Sequence, residues 1–400
     1  MRKCLRLHHR AFVASAVSAV SAFHVSACAV EPACDDGLAC APEPSTRADE
    51  GEVTAPGSGV SCSSHGRCEV GDAKQRCVCD PGFTGANCEL PRFEWLVPNF
   101  FTSCGNAISG DGKVVVGRLA EGNRSSGRPY RWTKSTGAVL LTSPAEPVDF
   151  GEATDVNSDG SVVVGSAYLA SKSGVFRWTQ RSGIAIIGGS DQARVTANGT
   201  TVVGRWPFFR WTAASGFQDL PGFRDVLRVH GLSGDGTTIV GATNTSGAFR
   251  WTGTNGLQVV APAGQTDSTA TAVSADGGVV VGFYYKDAQQ VAFKWNRNTG
   301  AQDIAVGGLT RSVPHSVTGD GTIVLGGSAE GGWIWSQTQG VRRISTILRG
   351  LGVDRSTLSG LDEATRSGSG ALDISDDGKV ITGCAFNGAG LQSFVARIAD

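Results

Sequence analysis

The chain has 400 residues, including 56 Gly and 11 Cys, and its formal net charge is −1. A nearly neutral chain lacks the excess of basic side chains with which proteins contact phosphates, so we expect no nucleic-acid partner. The Gly share is about twice the usual value, which is typical of a structure with many turns.

The N-terminus has the pattern of an export signal. Its first ten residues include four basic side chains, Arg2, Lys3, Arg6 and Arg10. They precede AFVASAVSAVSAFHV at 11–25, an apolar segment too short to span a membrane. A basic segment followed by a short apolar one predicts a signal peptide, which we assign to residues 1–27, and therefore an exported protein.

The apolar segment ends in Val25-Ser26-Ala27-Cys28, which resembles a bacterial lipobox. The resemblance implies lipidation of Cys28, so that the only membrane contact is a lipid anchor at the outer membrane or cell surface. The alternative is ordinary cleavage beside small residues, which leaves Cys28 unmodified and the protein secreted. Residues 28–60 are rich in Pro, Glu, Gly and Ser without apolar periodicity, which predicts a tether.

Five cysteines lie close together in CSSHGRCEVGDAKQRCVCDPGFTGANC, residues 62–88. Its Cys-x-Cys followed by Gly-Phe-x-Gly-x-x-Cys resembles the second half of an EGF-like module, which we assign to 61–90. The resemblance implies the disulfides Cys62–Cys77 and Cys79–Cys88. Cys68 would then pair upstream, with Cys40 as the expected partner and Cys34 as the alternative, unless the module is truncated.

An exported module so dense in cysteine favours disulfides over a zinc site. No acidic cluster precedes its first cysteine, so we do not predict the calcium-binding EGF subtype. We therefore expect neither a metal nor a cofactor.

From residue 91 onward one phrase occurs seven times: an aliphatic residue, Ser, Thr or Asn, any residue, Asp or Asn, Gly, and a β-branched run that ends in Gly. Its turn residues are Asp111, Asp159, Asn198, Asp235, Asp276, Asp320 and Asp377. Spacings of this size indicate a solenoid, a propeller or an array. Asp-Gly is a signal for a two-residue hairpin turn with positive φ angles. The β-branched runs predict a second strand that is covered on both faces.

A third strand is indicated by an aromatic-x-Trp triplet in six copies, at 130–132, 176–178, 209–211, 249–251, 293–295 and 333–335. A Gly-led segment follows each triplet, such as GFQDL at 216–220, which makes four strands per repeat. Four-stranded sheets repeated around an axis form a β-propeller. We predict an all-β fold with a seven-bladed propeller over 91–400. The alternative is an open solenoid with atypical end repeats.

The ends of this region support a ring. The last copy lacks a fourth strand, and Phe93–Val97 is expected to supply it by pairing with 393–398. Cys104 and Cys384 fall at the same end of the first and last copies, so we predict a disulfide between them, with two buried thiols as the alternative. VRRISTILRGLG at 341–352 predicts a short helix on the rim, with a surface loop as the alternative.

The phrases VS-x-DG-x-VVVG, AFRW and G-x-Q-D-L, with the ending LDISDDGKVITG, resemble the HAF family of bacterial extracellular repeats. The resemblance covers about residues 93–400. It implies an exported repeat protein and supplies no catalytic residues.

Positions five residues before the turn residue are expected to line one end of the channel. The candidate ligand-binding residues there are Asn106, Thr154, His230, Thr271 and His315. No Ser-His-Asp order and no repeated carboxylate pair accompanies them, so we assign no catalytic residue.

Two other patterns have competing interpretations. Asp155-x-Asn157-x-Asp159-Gly160 resembles the start of a calcium loop but lacks its terminal Glu, so a hairpin turn is favoured. The basic members of the triplets could form an anion-binding ring, but long basic side chains more often pair locally. They are Arg131, Arg177, Arg210, Arg250 and Lys294.

These observations predict a noncatalytic, monomeric surface protein whose propeller and EGF-like module bind a protein or glycan. The alternative is an exported polysaccharide hydrolase or lyase that uses the propeller channel. Loop carboxylates would then have to meet in one cleft, at a spacing of roughly 5 to 10 Å. The candidates are Glu121, Glu152, Asp225, Asp287 and Glu330.

Overall fold

A computed structural model describes residues 62–71, 74–97, 102–120, 127–205, 207–220, 226–358, 360–361, 370–388 and 390–400. The expectations for the signal peptide, Cys28, Cys34, Cys40, Glu121 and Asp225 lie outside these residues. Across the described ranges the chain is almost entirely β-structure, with one helix, α1, at Ile344–Gly350. No described helix is long and apolar enough to cross a membrane.

The repeats form antiparallel sheets, numbered here in chain order. Among the described residues a single parallel pair, Leu391 with Thr102, joins sheet 7 to sheet 1. Sheet 1 consists of Thr102–Ile108, Val114–Ala120, Arg128–Thr133 and Gly137–Leu140. Sheet 2 consists of Val148–Val156, Val162–Leu169, Ser173–Thr179 and Gly183–Gly188. Sheet 3 consists of Asp191–Val195, Thr201–Arg205, Phe209–Thr212 and Gly216–Asp219. Sheet 4 consists of Val226–Leu232, Thr238–Thr243, Gly247–Thr252 and Gly256–Val259.

The remaining sheets follow the same order. Sheet 5 consists of Ser268–Val273, Val279–Lys286, Gln289–Asn296 and Gly300–Asp303. Sheet 6 consists of Val313–Val317, Ile323–Ser328, Gly331–Ser336 and Gly340–Arg343. Sheet 7 consists of Gly370–Ile374, Val380–Phe386 and Leu391–Arg397. The first strand of each sheet contacts that of the next, and the first strands of sheets 7 and 1 are also in contact. The described fold is therefore propeller-like.

The hairpin between the first two strands differs from the two-residue turn that Asp-Gly suggested. In sheet 5 the loop has four residues, because the Ser274 backbone N–H donates to the Val279 carbonyl. The Ser274 hydroxyl accepts the Val279 N–H at 3.0 Å and donates to Asp276 at 2.6 Å. Only Gly277 takes a positive φ, of 69°. The Ser274 hydroxyl thus accepts an N–H that a backbone carbonyl would accept in a two-residue turn. The loop is longer as a result.

Adjacent turns are joined by backbone hydrogen bonds between N–H and carbonyl groups. The bonds run Asp111–Ser158, Ser158–Ala197, Ala197–Gly234, Asp235–Ala275, Ala275–Gly319, Gly319–Asp376 and Asp376–Gly110, with the donor named first. Every sheet is thereby tied to the next at one end of the first strands. We call this end the turn face.

The core of each sheet depends on a Gly in the second strand, directly opposite the first aromatic residue of the third strand. The pairs are Gly117–Tyr130, Gly165–Phe176, Gly204–Phe209, Gly241–Phe249, Gly282–Phe293, Gly326–Trp333 and Gly383–Phe394. All seven aromatic residues are fully buried. A Cβ on the Gly would collide with neighbouring backbone or with the ring.

The basic residues of the triplets connect neighbouring sheets. Arg131 donates to the Gly160 carbonyl at 3.2 Å and lies over Trp178, with 5.9 Å from its Cζ to the ring centroid. Arg177, Arg250 and Lys294 make the equivalent pair of contacts, whereas Arg210 donates to Thr201 in its own sheet. These basic side chains therefore make local contacts, which is the interpretation that was favoured over an anion-binding ring.

Phe93–Trp95 pairs antiparallel with Leu391–Arg397, the third strand of sheet 7. The Phe93 and Phe394 rings stack, with centroids 5.4 Å apart. A disulfide joins Cys104 in sheet 1 to Cys384 in sheet 7, with both residues buried and their Cα atoms 4.8 Å apart. This is the bridge that the positions of the two cysteines suggested.

The segment before sheet 1 contains four short strands, Gly66–Gly71, Lys74–Cys79, Phe83–Thr84 and Leu90–Pro91. It contains the disulfides Cys62–Cys77 and Cys79–Cys88, the pairs that the EGF resemblance implied. The Cys40–Cys68 pair falls outside the described residues and side chains. The segment contacts the end of α1, where the Gly82 N–H donates to the Leu351 carbonyl at 2.9 Å.

The helix confirms the prediction for 341–352, although it begins three residues later. Val341 remains in the fourth strand of sheet 6, and Ile344 and Leu348 are buried. The apolar residues at helical spacing therefore pack against sheet 6.

We expect Gly241→Ala, in the second strand of sheet 4, to lower the free energy of unfolding by about 3 kcal/mol, as overpacking of a core does. The new Cβ would collide with the Arg228 carbonyl oxygen and press on the Phe249 ring. Gly253→Ala is the matched control, because its Cβ meets no heavy atom within 4 Å. Its effect should stay within about 0.5 kcal/mol in urea unfolding. Equal losses in both variants would contradict this account of the core.

Candidate functional site

The first strand of every sheet has a register shift at the position five before the turn residue. In sheet 2 the pairing skips from Ala153 to Asp155, and in sheet 7 from Ala371 to Asp373. The other five sheets show a shift at the same place. A bulge leaves one residue unpaired and re-aims the side chains around it. The alternation assumed from the sequence therefore fails just where the channel residues were expected.

A cavity of about 150 Å³ lies on the axis behind the turns and is lined by residues of all seven sheets. In every sheet, the residues one and three positions before the turn residue line this cavity. The position four before it contributes Asp155, Ser316 and Asp373.

None of the five candidate ligand-binding residues lines this cavity. Asn106, Thr154 and His315 bond instead to carbonyls of the next sheet, those of Ala153, Ala193 and Ala371, at 2.8 to 2.9 Å. Thr271 donates to the Val281 carbonyl at 3.3 Å, within its own sheet. His230 is half-buried and has no hydrogen bond from its ring among the described residues. Most of this set joins strands to one another.

Asp155 and Asp373 occupy equivalent positions and make equivalent bonds. Asp155 accepts the N–H of Val195 in the next sheet at 2.8 Å and that of Val156 at 2.9 Å. Asp373 accepts the N–H of Ile108 in the next sheet at 2.9 Å. It also accepts the Ser316 hydroxyl at 2.7 Å and the Ile374 N–H at 2.9 Å. Each carboxylate therefore fastens two neighbouring first strands.

Burial raises the pKa of both carboxyl groups. Burial, with a smaller contribution from the negative charge of Asp155, raises the pKa of Asp373 to about 6, although its three hydrogen bonds act in the opposite direction. The pKa of Asp155 is raised by burial, although Arg194 and two backbone N–H groups act in the opposite direction. Asp155 and Asp373 thus line the cavity together with a third carboxyl group, that of Asp376. The charge of Asp155 raises the pKa of Asp373, and the charge of Asp376 raises the pKa of Asp155.

On the side of these carboxylates away from the turns lies a group of basic residues. Arg194 donates to the carbonyls of His230 at 2.6 Å and Ala193 at 2.9 Å. Burial, together with the positive charges of Arg194, Arg228 and Arg205, lowers the pKa of His230 to about 3. His230 is therefore neutral at physiological pH, and the three arginines carry the charge.

Asp155 and Asp373 are a pair that the sequence-based site prediction did not contain. A signal for them exists, because ATDVNSDG at 153–160 and ALDISDDG at 371–378 place Asp at the same position of two repeats. Of the loop carboxylates proposed for the enzyme alternative, the three that the structure describes are not brought to the axial cavity. Glu152, Asp287 and Glu330 do not line the cavity, and Glu330 accepts bonds from Thr310. Among the described residues no three His, Cys, Asp or Glu side chains are grouped as metal ligands would be.

A larger cleft, of about 1060 Å³, lies between the Cys62–Cys88 segment and the end of α1. Charged residues from both sides line it, including Arg76, Asp80, Arg92, Arg349 and Asp400. Thr84 and Arg92 both donate to the Asp400 carboxylate, which closes one side of the cleft.

The profile of the Teneurin-like EGF domain family matches residues 59–91, which confirms an EGF-like module. No curated protein matches the chain significantly. Solved structures of similar fold include an oligogalacturonate lyase in complex with manganese, with a TM-score of 0.50 and 11% identity over 74% of this chain and 90% of that one. An oligogalacturonate lyase from Vibrio parahaemolyticus has a TM-score of 0.53 and 10% identity over 84% and 97%.

The β-propeller domain of Cps50 (Swd1) from Myceliophteria thermophila is also similar, with a TM-score of 0.45 and 10% identity over 74% and 96%. Identities this low report the fold alone.

The raised pKa of Asp373, about 6, predicts a specific pH dependence. The folded state binds this proton more tightly than the unfolded chain, whose Asp pKa is about 3.9. The stabilisation is fully present below about pH 4 and is lost as the pH rises through about 6. Asp373→Asn should remove this change.

Between pH 4 and pH 7 we expect the free energy of unfolding of the wild type to fall by about 2 kcal/mol relative to that of Asp373→Asn. Urea unfolding at each pH measures it. Asp219→Asn, at an exposed outer strand of sheet 3, is the control and should follow the wild type. Parallel pH profiles for the wild type and Asp373→Asn would contradict the assignment.

Proposed function

We propose that this chain is an exported surface protein whose propeller is a noncatalytic, monomeric binding scaffold, with the EGF-like module at its edge. The observation that carries the proposal is that the carboxylates of Asp155 and Asp373 are bonded to neighbouring strands. Both carboxylates accept backbone N–H groups of the neighbouring sheet, so they are engaged in holding strands together. Binding is then left to the outer surfaces and to the cleft beside α1.

The size of the axial cavity supports a scaffold over an enzyme. Pockets for small molecules typically measure about 300 to 1,000 Å³. At about 150 Å³ the cavity behind the turns is too small for a saccharide chain. The cleft beside the EGF-like module, at about 1060 Å³, has the size that a ligand needs.

The proposed scaffold is a closed, seven-bladed ring. The backbone bonds from turn to turn support it, since the last one runs from Asp376 back to Gly110. Phe93–Trp95 supplies the outer strand of the last blade, and Cys104–Cys384 ties that blade to the first. Seven lies within the usual range of blade numbers.

Export is supported by the disulfides and the EGF-like module, which are typical of extracellular proteins. The resemblance of the repeats to HAF repeats agrees with it. In the proposed organisation residues 1–27 are the signal peptide, 28–60 the tether, 61–90 the module and 91–400 the propeller. Lipid on Cys28 anchors the protein, and Cys40–Cys68 completes the disulfides of the module.

The second candidate is an exported hydrolase or lyase acting on polysaccharide. The observation that favours it is the pair Asp155 and Asp373 in one cavity, both with a raised pKa. A carboxyl group that stays protonated near neutral pH can act as a general acid. Opening of the turn face would have to admit the substrate.

One experiment separates the two candidates. Full-length protein is screened against glycan and protein arrays, and each bound glycan is then incubated with protein and analysed for shortened or unsaturated products. Oligogalacturonate is included, because two proteins of similar fold are named for acting on it. We expect binding without cleavage. Cleavage by the wild type that is lost in Asp155→Asn and Asp373→Asn, with folding preserved, would establish the enzyme instead.

Lipidation is tested by Cys28→Ser. Two anchoring signals give stable membrane attachment, and a lipoprotein with a modified Cys28 has them. We expect the wild type in the membrane fraction and the variant in the soluble fraction of the bacterial host. Cys34→Ser is the control and should stay with the membrane. A soluble, unmodified wild type would contradict anchoring.

A further inference from the structure

One basic residue of the aromatic-x-Trp triplets departs from the pattern of the other four. Those four donate to a turn carbonyl of the next sheet and lie over its Trp, namely Arg131, Arg177, Arg250 and Lys294. Arg210 donates instead to the Thr201 hydroxyl of its own sheet at 3.3 Å. The equivalent partners in sheet 4 are the Gly236 carbonyl and Trp251, which Arg210 therefore leaves to other contacts.

A cleft of about 520 Å³ lies where Arg210 would otherwise pack, because Arg210, Gly236 and Trp251 all line it. Its volume is within the range of about 300 to 1,000 Å³ that is typical of small-molecule sites. Two more arginines line the cleft, Arg250 in the third strand of sheet 4 and Arg297 in the loop after the third strand of sheet 5. Three neighbouring sheets thus each contribute a guanidinium, and no described Asp or Glu is part of the lining.

Arg250 brings an unpaired donor to the cleft. Its Nε donates to the Gly277 carbonyl at 3.1 Å, and its Nη2 donates to the Thr238 hydroxyl at 3.2 Å. The residue is only 7% exposed, and its Nη1 has no hydrogen-bond partner among the described residues. A buried donor without an acceptor costs free energy, and a guanidinium stays charged at physiological pH. This nitrogen therefore points to an acceptor other than the described residues.

The positive charge of the cleft is not cancelled by ion pairs. Within the described part of the chain, none of the three arginines forms an ion pair with a carboxylate. Burial lowers the pKa of Arg250 most, and the positive charge of Arg297 lowers it next. The charges of Asp235 and Asp276 raise that pKa, each by less. Neither carboxylate alone offsets the repulsion between the two guanidinium groups.

The carboxylates near the cleft are engaged elsewhere. Asp235 and Asp276 each accept the N–H two residues later and the Ser hydroxyl two residues earlier, within their own turns. Asp219, on the outer strand of sheet 3, is the cross-strand partner of Phe209. Because neighbouring residues of a strand alternate between faces, Asp219 lies on the opposite face of that sheet from Arg210.

We propose that this cleft binds a tetrahedral oxyanion, the phosphate or sulfate group of a small ligand. A guanidinium holds two oxygens of such a group in forked hydrogen bonds, and guanidinium groups from three sheets can reach oxygens that point in different directions. Trp251 gives the cleft an apolar wall for the rest of the ligand. The inference rests on the proposed binding function and adds to it a site and a ligand class.

Isothermal titration of the full-length protein tests the site with simple anions. The probes are sodium phosphate, sodium sulfate and sodium acetate, each at the same ionic strength adjusted with sodium chloride. We expect phosphate or sulfate to bind at least tenfold more tightly than acetate, because a planar carboxylate offers only two oxygens to three guanidinium groups. The tighter of the two identifies the oxyanion, and its affinity should fall as the ionic strength rises.

Two variants address the residues. Arg297→Gln and Arg210→Gln should each weaken binding about tenfold, the effect of losing a hydrogen bond to a charged group. Arg181→Gln is the matched control and should change nothing. Like Arg297, Arg181 is exposed and lies in the loop after a third strand, but it belongs to sheet 2 and does not line the cleft. Thermal unfolding without added anion confirms that each variant is folded.

The proposal is overturned if neither phosphate nor sulfate binds more tightly than acetate. It is also overturned if folded Arg297→Gln and Arg210→Gln bind as the wild type does, or if Arg181→Gln weakens binding as much as they do. A failure of the noncatalytic scaffold would look different, because it would appear as cleavage of a bound glycan. Protein that binds an array ligand but neither oxyanion contradicts this inference alone.

Discussion

The hydrogen-bonded turn is the constraint on which the rest of this structure depends. In all seven repeats a buried Ser, Thr or Asn accepts the N–H five residues later and donates to the turn Asp or Asn. Asn157 shows that the position requires a side chain that both accepts and donates, and that a hydroxyl is not essential. Its amide oxygen accepts the Val162 N–H, and its amide nitrogen donates to Asp159. Buried polar groups must be bonded, so this residue type determines the loop length, and the loop in turn presents the backbone groups that join each turn to the next.

The residue types found around the axis follow from that arrangement of turns. Once turns are joined by backbone bonds, the residue before the turn Asp must be small, and it is Gly, Ala or Ser in six sheets. The seventh is Asp376, whose carboxylate accepts the Ser158 hydroxyl at 3.1 Å. The bulge behind the turns then lets Asp155 and Asp373 reach backbone N–H groups of the next sheet. The carboxylates around this axis therefore form hydrogen bonds between sheets. Because they have this structural role, their presence in a cavity is weak evidence for catalysis.

The sequence predicted most of the periodic structure and little of the site. Strands, four-stranded sheets and the helix near Leu348 follow from residue patterns that repeat, and the two EGF-like disulfides from a motif with fixed spacing. The bulge has no residue signature of its own, since the unpaired position holds Asn, Thr, Ala, His or Leu. A shift of one residue moves a side chain to the other face of a strand. The channel prediction therefore selected residues such as Thr154, and the carboxylate beside it was missed.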